Sequence, residues 1–348
     1  MNKYIPSEIK IIQSVPKTID NIYGIKLVDS IPVIKTVLFI LGGNKAESEK
    51  TANNYALRLS YLLKENDIND VNIYSTLYYF NSRNTEFDEL NIFQKARRKI
   101  STLRECLNHD IKNTMENEPE PLFLNYLYNI LIKPRIVGKK SEKIDLEKAI
   151  ENVRKLVIFT HCYGSTVLKY LENFIGDKMS KIGYSKDDIK KIQENLLIIA
   201  HTPLSPLEHS KFTTVSFMSA MDEVLDHKNL FNKYIKNIDQ NLKPSFFSGE
   251  KGNFFIVKKS KKDEGAEHFT SGIPKKEEHL LTDDGKIIFT AERNALINGL
   301  KNSINGGPLP SIRELVSGGD FNFDTTEENG NLFYKNMLYN LRDKKKIK

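Results

Sequence analysis

The stretch FTHCYGSTV, residues 159–167, places a thiol and several small residues directly after a short apolar run. A nucleophile on a sharp strand-to-helix turn needs small residues two positions before it and two positions after it, because larger side chains would collide as the backbone reverses. Around Cys162 those positions hold Thr160 and Gly164, whereas Ser165 has larger residues at both offsets. If this turn carries a nucleophile, that residue is Cys162.

An inert, buried thiol is the alternative interpretation of Cys162, because free cysteine is among the most buried residue types. His161 precedes it and is interpreted as a packing or supporting residue, since a side chain one position away on a sharp turn points elsewhere. Cys106, the second of two cysteines, lies in a segment of helical spacing and is expected to be structural. Two thiols are too few for a disulfide framework, and no His/Cys cluster has zinc spacing. We therefore predict no metal site.

The residues T-H-C-Y-G-S, 160–165, resemble the nucleophile elbow of the α/β-hydrolase family. That family's pattern is G-x-S-x-G, often with His before the nucleophile and Tyr after it. Thr160 stands at the position of the first glycine, and Cys162 stands at the position of the serine. Because the family includes members with a cysteine nucleophile, the resemblance implies acyl chemistry through Cys162. In its order of elements the resemblance extends over roughly residues 30 to 305.

The resemblance implies that the acid and the base of a catalytic triad follow the nucleophile in the chain. Asp222, at the end of the strand after next, is the expected acid that orients the base; Asp226 and Glu223 are fallback acids. The alternative role of Asp222 is the N-cap of a following helix. His268, in the context GAEHF beyond the last predicted strand, is the expected base, and His279 is the alternative base.

Backbone amides would complete the implied site by holding the oxyanion of the reaction. The expected donors are the amide of Tyr163 and an amide of Gly43 or Asn44, in the sequence LGGN after an early strand. His201 and His209 flank a loop after another predicted strand. Each of these two histidines either lines the same cleft or lies on the surface.

Apolar and β-branched runs alternate with segments of helical spacing along the chain. Strands are predicted within 36–44, 71–80, 156–160, 195–203, 212–222 and 252–260. An amphipathic helix begins near Ser165, and another begins after Thr290 as its N-cap. This alternation predicts an α/β fold with a mainly parallel, doubly wound sheet covered on both faces. The resemblance implies the α/β-hydrolase version of that architecture.

The domain organisation is predicted from shifts in composition. Residues 1–30 are an N-terminal extension, 31–305 the α/β-hydrolase-like domain, and 306–348 a polar C-terminal tail. A helical insertion at about 86–140 comes before the strand that leads to Cys162 and would act as a lid. Its apolar run LFLNYLYNILI suits a lipid or acyl substrate, and a helix that faces the core is the alternative explanation.

The formal net charge of +7 comes mainly from lysines scattered along the 348 residues. We therefore expect no specific nucleic-acid binding, although weak association with an anionic membrane is compatible with that charge. Walker A and G-x-G-x-x-G motifs are absent from the expected strand–helix settings, and we predict no cofactor. The N-terminus has no apolar signal-peptide core and no segment approaches a membrane span in length. These features favour the cytoplasm, with non-classical export as the alternative.

The predicted function is cleavage or transfer of an acyl group, from an ester, a thioester or a lipid, through Cys162, His268 and Asp222. The partner is then a small-molecule or lipid acyl substrate. The alternative is a hydrolase-like scaffold that has lost turnover and serves as a binding or effector protein, since Thr160 and Cys162 both depart from the elbow pattern. The oligomeric state is not predicted.

Overall fold

The computed structural model describes residues 9–16, 23–42, 56, 59–60, 62–78, 121–138, 141–161, 164–203, 207, 209–219, 247–248, 253–257 and 290–318. Within these residues nine strands form one sheet. They are β1 (Ile9–Pro16), β2 (Tyr23–Val28), β3 (Thr36–Leu41), β4 (Val71–Tyr78), β5 (Leu156–His161), β6 (Leu197–His201), β7 (Thr213–Ser219), β8 (Phe247–Ser248) and β9 (Phe254–Val257).

The centre of the sheet is parallel, as the alternating sequence pattern predicts. The strand order is β2-β1-β4-β3-β5-β6-β7-β9-β8. All pairs from β4 to β9 are parallel, while β1, β2 and β8 pair antiparallel at the two edges. The buried runs of β3 and β5 have no polar alternation, which is typical of strands covered on both faces. The predicted α/β fold class is therefore confirmed.

Helices cover both faces of this sheet. In the described residues they are α1 (Pro121–Leu127), α2 (Lys133–Ile136), α3 (Leu146–Arg154), α4 (Gly164–Lys181), α5 (Lys186–Glu194), α6 (Thr290–Asn305) and α7 (Ile312–Val316). Side-chain caps begin three of them: Asp145 accepts from two amides of α3, and Ser185 and Ser311 form capping boxes at α5 and α7. Such caps satisfy amides that have no partner within the helix.

The two faces of the sheet form separate apolar cores. Phe39 and Ile158 point to one core, with α1 to α5, and their neighbours Leu38 and Phe159 point to the other core, with α6 and α7. The second core also contains four apolar residues from helical positions that precede β4 in the chain: Ala56, Leu59, Leu62 and Leu63. Successive side chains of a strand point to opposite faces, and helices cover both faces, so the sheet is doubly wound, as predicted.

The described part of the helical insertion, 121–136, packs into the first core. A π-helical turn, Tyr128–Ile132, joins α1 to α2 and gives one continuous helical segment. Phe123, Leu127 and Leu131 of the predicted apolar run are all buried. The run therefore faces the core, which is one of the two interpretations of its composition, and its apolar character does not require a lipid ligand.

Arg135 connects this insertion to the start of β3. Its guanidinium is fully buried and donates hydrogen bonds to the carbonyls of Leu131 (2.7 Å) and Pro32 (2.9 Å). Burial lowers the pKa of Arg135 to about 10.

No helix in the described part of the chain is long and apolar enough to cross a membrane.

Two segments beyond the predicted 31–305 domain pack against it. Residues 9–16 and 23–28 add β1 and β2 to the edge of the common sheet. At the C-terminal end, α7 buries Leu315 and Val316 against α6. The side-chain amide of Asn298 donates to the carbonyl of Leu315 (2.9 Å). The boundaries at 30 and 306 stay predictions, but both flanking segments contribute to the folded core.

Tyr184 fastens the insertion to the connection between α4 and α5. Its buried hydroxyl donates to the carbonyls of Ile136 (2.9 Å) and Ile144 (3.0 Å), sharing one proton between them. Burial raises the pKa of Tyr184 from 10.0 to about 12. The folded chain therefore retains this proton at a pH where an unfolded tyrosine releases it.

We predict that Tyr184 stabilises the fold below about pH 10 and that its contribution disappears as the pH rises through about 12. Tyr184→Phe should lower the free energy of unfolding by about 1 kcal/mol near neutral pH, because two buried carbonyls lose a donor. Urea denaturation of both proteins at about pH 8 and about pH 11 measures this. The difference between them should shrink at the higher pH; an equal difference at both pH values would contradict the role of Tyr184.

Candidate functional site at the carboxyl edge of the sheet

The chain changes direction across the sheet between β3 and β5. It passes from β3 to β4 on one side, and later continues through β5, β6 and β7 on the other side. Open α/β sheets bind ligands in the crevice at the carboxyl ends of the strands where this reversal occurs. The carboxyl ends of β3 and β5 lie side by side, with Leu41 paired to Thr160. The topology therefore places a candidate ligand crevice at Leu41 and Thr160.

Helix α4 starts in direct contact with the end of β3. A methyl group on Gly164 would overlap the carbonyl oxygen of Leu41 and the hydroxyl of Thr160, and would lie 3.2 Å from the carbonyl oxygen of Gly42. Two of these three obstacles are backbone atoms, which cannot move aside as a flexible side chain can. Glycine is therefore required at position 164 by this backbone.

Thr160 fills the space beside that contact with a side chain of its own. Its hydroxyl is fully buried and donates to the carbonyl of Leu41 at 3.2 Å. The hydrogen bond joins the last residues of β5 and β3 across the point where the strand order reverses. Thr160 therefore makes a hydrogen bond that glycine, the residue of the elbow pattern at this position, could not make.

A buried polar cluster, His161, His201 and Glu292, lies on the face of the sheet that α6 covers. His161 and His201 are paired neighbours at the carboxyl ends of β5 and β6. Nδ1 of His201 lies 3.0 Å from both carboxylate oxygens of Glu292, in the first turn of α6. The rings of His161 and His201 have centroids 5.4 Å apart. The structure thus brings two histidines and a carboxylate together beside the candidate crevice.

Thr202, directly after this cluster, has an unusual backbone conformation. Its φ is +42°, and of the described non-glycine residues only Asp67 and Ser141 also have positive φ. The side chain is fully buried, and its amide donates to the carbonyl of Phe217 (2.7 Å). Backbone strain of this kind costs about 1–3 kcal/mol and is often found at functional sites. Thr202 lies at the same carboxyl edge of the sheet as the polar cluster and the candidate crevice.

Three predicted site residues fall within the described chain, and the structure brings them together: Thr160, His161 and Gly164 lie at the end of β5 and the start of α4. The others lie outside the described residues: Gly43, Asn44, Cys162, Tyr163, Asp222, His268 and His279. In the sequence they follow β3, β5, β7 and β9, whose carboxyl ends share one edge of the sheet. Their roles stay predictions.

His201 and His209 have different environments, although both flank the same loop. His201 is 1% exposed and contacts Glu292, whereas His209 is exposed. In the described part of the chain, no group of three or more His, Cys, Asp or Glu residues could hold a metal ion.

Glu292 is the residue of this site that the sequence analysis did not identify. It was expected only as part of the first turn of a helix, but it shares one helical face with four buried residues: Ala295, Leu296, Gly299 and Leu300. A carboxylate in line with apolar residues three, four, seven and eight positions away is the signal that could have identified it. A buried charged residue is more informative than an exposed apolar one.

We predict that Gly164→Ala lowers the free energy of unfolding by about 2 kcal/mol, because the methyl group would force the backbone of β3 and α4 apart. Gly176→Ala is the matched control in the same helix. A methyl group there would have ordinary contacts at 3.9 Å with Ile189 and Gln193, and alanine should add about 0.5–1 kcal/mol of helix stability. Thermal and urea denaturation measure both variants; equal effects would exclude the close contact at Gly164.

Comparisons with known proteins assign no family to the chain. A scan against protein-family models and a search of curated proteins each find no match. Among solved structures, the thermophilic carboxylesterase EstE1 from a metagenomic library is 9% identical, with 89% of this chain and 92% of that chain covered and a TM-score of 0.34. A feruloyl esterase module from Clostridium thermocellum is 10% identical, with 78% and 86% covered and a TM-score of 0.28. Likenesses at these low TM-scores and identities carry no conclusion about activity.

Proposed function

We propose that this chain is an α/β-hydrolase-like enzyme that cleaves or transfers an acyl group through Cys162. In this proposal His268 is the base, with His279 as the alternative, and Asp222 orients it. Amides of Tyr163 and of Gly43 or Asn44 hold the oxyanion. The observation that carries the proposal is the contact that Gly164, three positions after the last residue of β5, makes with the end of β3, because a nucleophile elbow needs a residue without a side chain at this close approach.

The start of α4 supports a negatively charged group at this turn. Cys162 is two positions before α4, which has 18 residues and no acidic residue in its first turn. The N-terminus of a helix carries a partial positive charge that favours anions. A thiolate at Cys162, or the oxyanion formed on an attacked carbonyl, would be stabilised by this charge.

The proposed reaction has two halves that share one base. His268 takes the proton of the Cys162 thiol, and the sulfur forms a bond to the carbonyl carbon of the substrate. The tetrahedral oxyanion collapses, the bond to the leaving group breaks, and His268 gives its proton to the leaving group. Water then loses a proton to His268 and attacks the thioester carbon; the carbon–sulfur bond breaks, His268 gives its proton to the sulfur, and the carboxylic acid leaves with the thiol of Cys162 restored. An acceptor alcohol or thiol in place of water would give transfer.

The substrate class follows from this chemistry alone. An activated ester or a thioester suits a sulfur nucleophile, because its leaving group departs readily from the tetrahedral intermediate. The buried apolar run in 121–136 offers no argument for a lipid chain, since its side chains pack into the core. We therefore propose small esters and thioesters as the first substrates to test.

We predict that the protein hydrolyses p-nitrophenyl acetate or a short acyl thioester, and that Cys162→Ala lowers kcat/KM at least about a hundredfold. Cys162→Ser should retain only a small part of the activity, because serine needs stronger general-base assistance than a thiol does. Release of nitrophenol or free thiol, followed by absorbance, measures the rates. Cys106→Ser is the matched control and should have wild-type activity.

Mass spectrometry of the reacted protein separates the possible outcomes. An acyl group on Cys162 that forms once and is not released would exclude hydrolysis while retaining a reactive thiol. If neither turnover nor acylation occurs, the enzyme proposal fails and a hydrolase-like binding or effector protein is favoured. Loss of activity in the double variant His268→Ala/His279→Ala, with activity retained in one single variant, would identify the base.

A further inference from the structure

The Glu–His–His cluster of His161, His201 and Glu292 is almost completely buried. The relative exposure of these residues is 6%, 1% and 0%. A buried carboxylate costs several kcal/mol unless hydrogen bonds compensate, and apolar residues of similar volume would fill the same space at lower cost. The proposed reaction uses none of the three side chains. Their burial beside the turn at Cys162 therefore needs its own explanation.

Glu292 fixes the orientation of the His201 ring. Both of its carboxylate oxygens lie 3.0 Å from Nδ1, within hydrogen-bond distance, and this contact holds the imidazole ring in one orientation. Phe159 limits rotation from one side, with ring centroids 6.3 Å apart and an interplanar angle of 21°. The imidazole of His201 is thus held by a hydrogen-bonded carboxylate and a stacked aromatic ring.

His201 in turn limits where His161 can lie. The two rings are 5.4 Å apart at an interplanar angle of 38°, and the two residues are paired in the sheet. His161 is the last residue of β5, and Cys162 follows it directly in the chain. A shift of the His161 side chain therefore acts on the backbone that enters the turn.

We propose that Glu292 and His201 are positioning residues that act through His161 on the turn carrying Cys162. This inference rests on the proposed role of Cys162 as a nucleophile. The cluster acts without contacting the substrate, because its side chains are almost fully buried. Its proposed effect is to hold the end of β5, the last described residue before Cys162, in one conformation.

Glu172 provides the matched control for a buried carboxylate. It lies in α4 with 8% exposure, and its Oε2 accepts from the hydroxyl of Ser210 (2.6 Å) and the amide of Lys211 (2.8 Å). These contacts fasten the segment before β7 to α4. Glu172→Gln should therefore lower thermal stability without changing the reactivity of Cys162.

The test measures the alkylation rate of Cys162 by iodoacetamide in a Cys106→Ser background, in which Cys162 is the only thiol of the chain. Glu292→Met should lower this rate, and the kcat for a p-nitrophenyl ester, at least about tenfold while KM changes little. Glu292→Gln retains an oxygen that accepts from His201 and should restore both rates to within about threefold of wild type. A side chain needed only for folding would not give this separation of kcat from KM.

If Glu292→Met does not fold, the double variant His201→Phe/Glu292→Met still tests the inference, because it leaves no unpaired buried charge. It should melt close to the wild type and yet be alkylated as slowly as Glu292→Met. Wild-type alkylation in both variants would overturn the inference, as would a loss in Glu292→Gln as large as in Glu292→Met. A different result would exclude the hydrolase and leave this inference standing. In that result the alkylation rate of Cys162 depends on Glu292, but the wild-type protein turns over no substrate.

Discussion

The contact between Gly164 and the carbonyl oxygen of Leu41 is the constraint on which the rest of the site depends. It fixes where β5 ends and α4 begins, because a side chain at position 164 would push the helix away from β3. The Thr160 hydroxyl, which donates to the same carbonyl, holds the two strands together at that point. The reversal of strand order occurs between these two strands, so this contact also sets the shape of the candidate crevice.

The two cores, one on each face of the sheet, contain different kinds of interaction around this contact. On the face of α1 to α5, apolar packing and the hydrogen bonds of Arg135 and Tyr184 hold the insertion rigidly against the sheet. On the α6 face, the buried ionisable groups of the described residues, His161, His201 and Glu292, lie at the carboxyl edge. At the opposite end of the same face the buried polar contact is between two hydroxyls, those of Ser303 and Thr36. The ionisable groups of this face therefore lie at the edge where the topology predicts a ligand.

Local patterns predicted much of this fold. The apolar runs of β3, β5 and β6 identified the strands because strands buried on both faces need continuous apolar sequence. β1 and β2 were missed, since IKIIQSVP and YGIKLV are short and mixed, and they gain their order from pairing with each other and with β4. The contact of Glu292 with His201 joins residues 91 positions apart, and periodicity within one helix cannot reveal such a partner. The spacing around Cys162 predicted that position 164 needs a small residue, and the overlap with the carbonyl oxygen of Leu41 narrows this to glycine.

A buried carboxylate also changes how the departures from the elbow pattern are interpreted. If Thr160 and Cys162 marked a scaffold that had lost its function, the nearby polar cluster would be an unnecessary cost, because apolar side chains stabilise a core more cheaply than a buried His–Glu pair does. The Thr202 backbone, with its φ of +42°, adds strain at the same edge. Two separate energetic costs beside one turn are expected where geometry has to be held for a purpose. This argument favours a site that is still used, and it applies whether Cys162 turns over a substrate or only captures one.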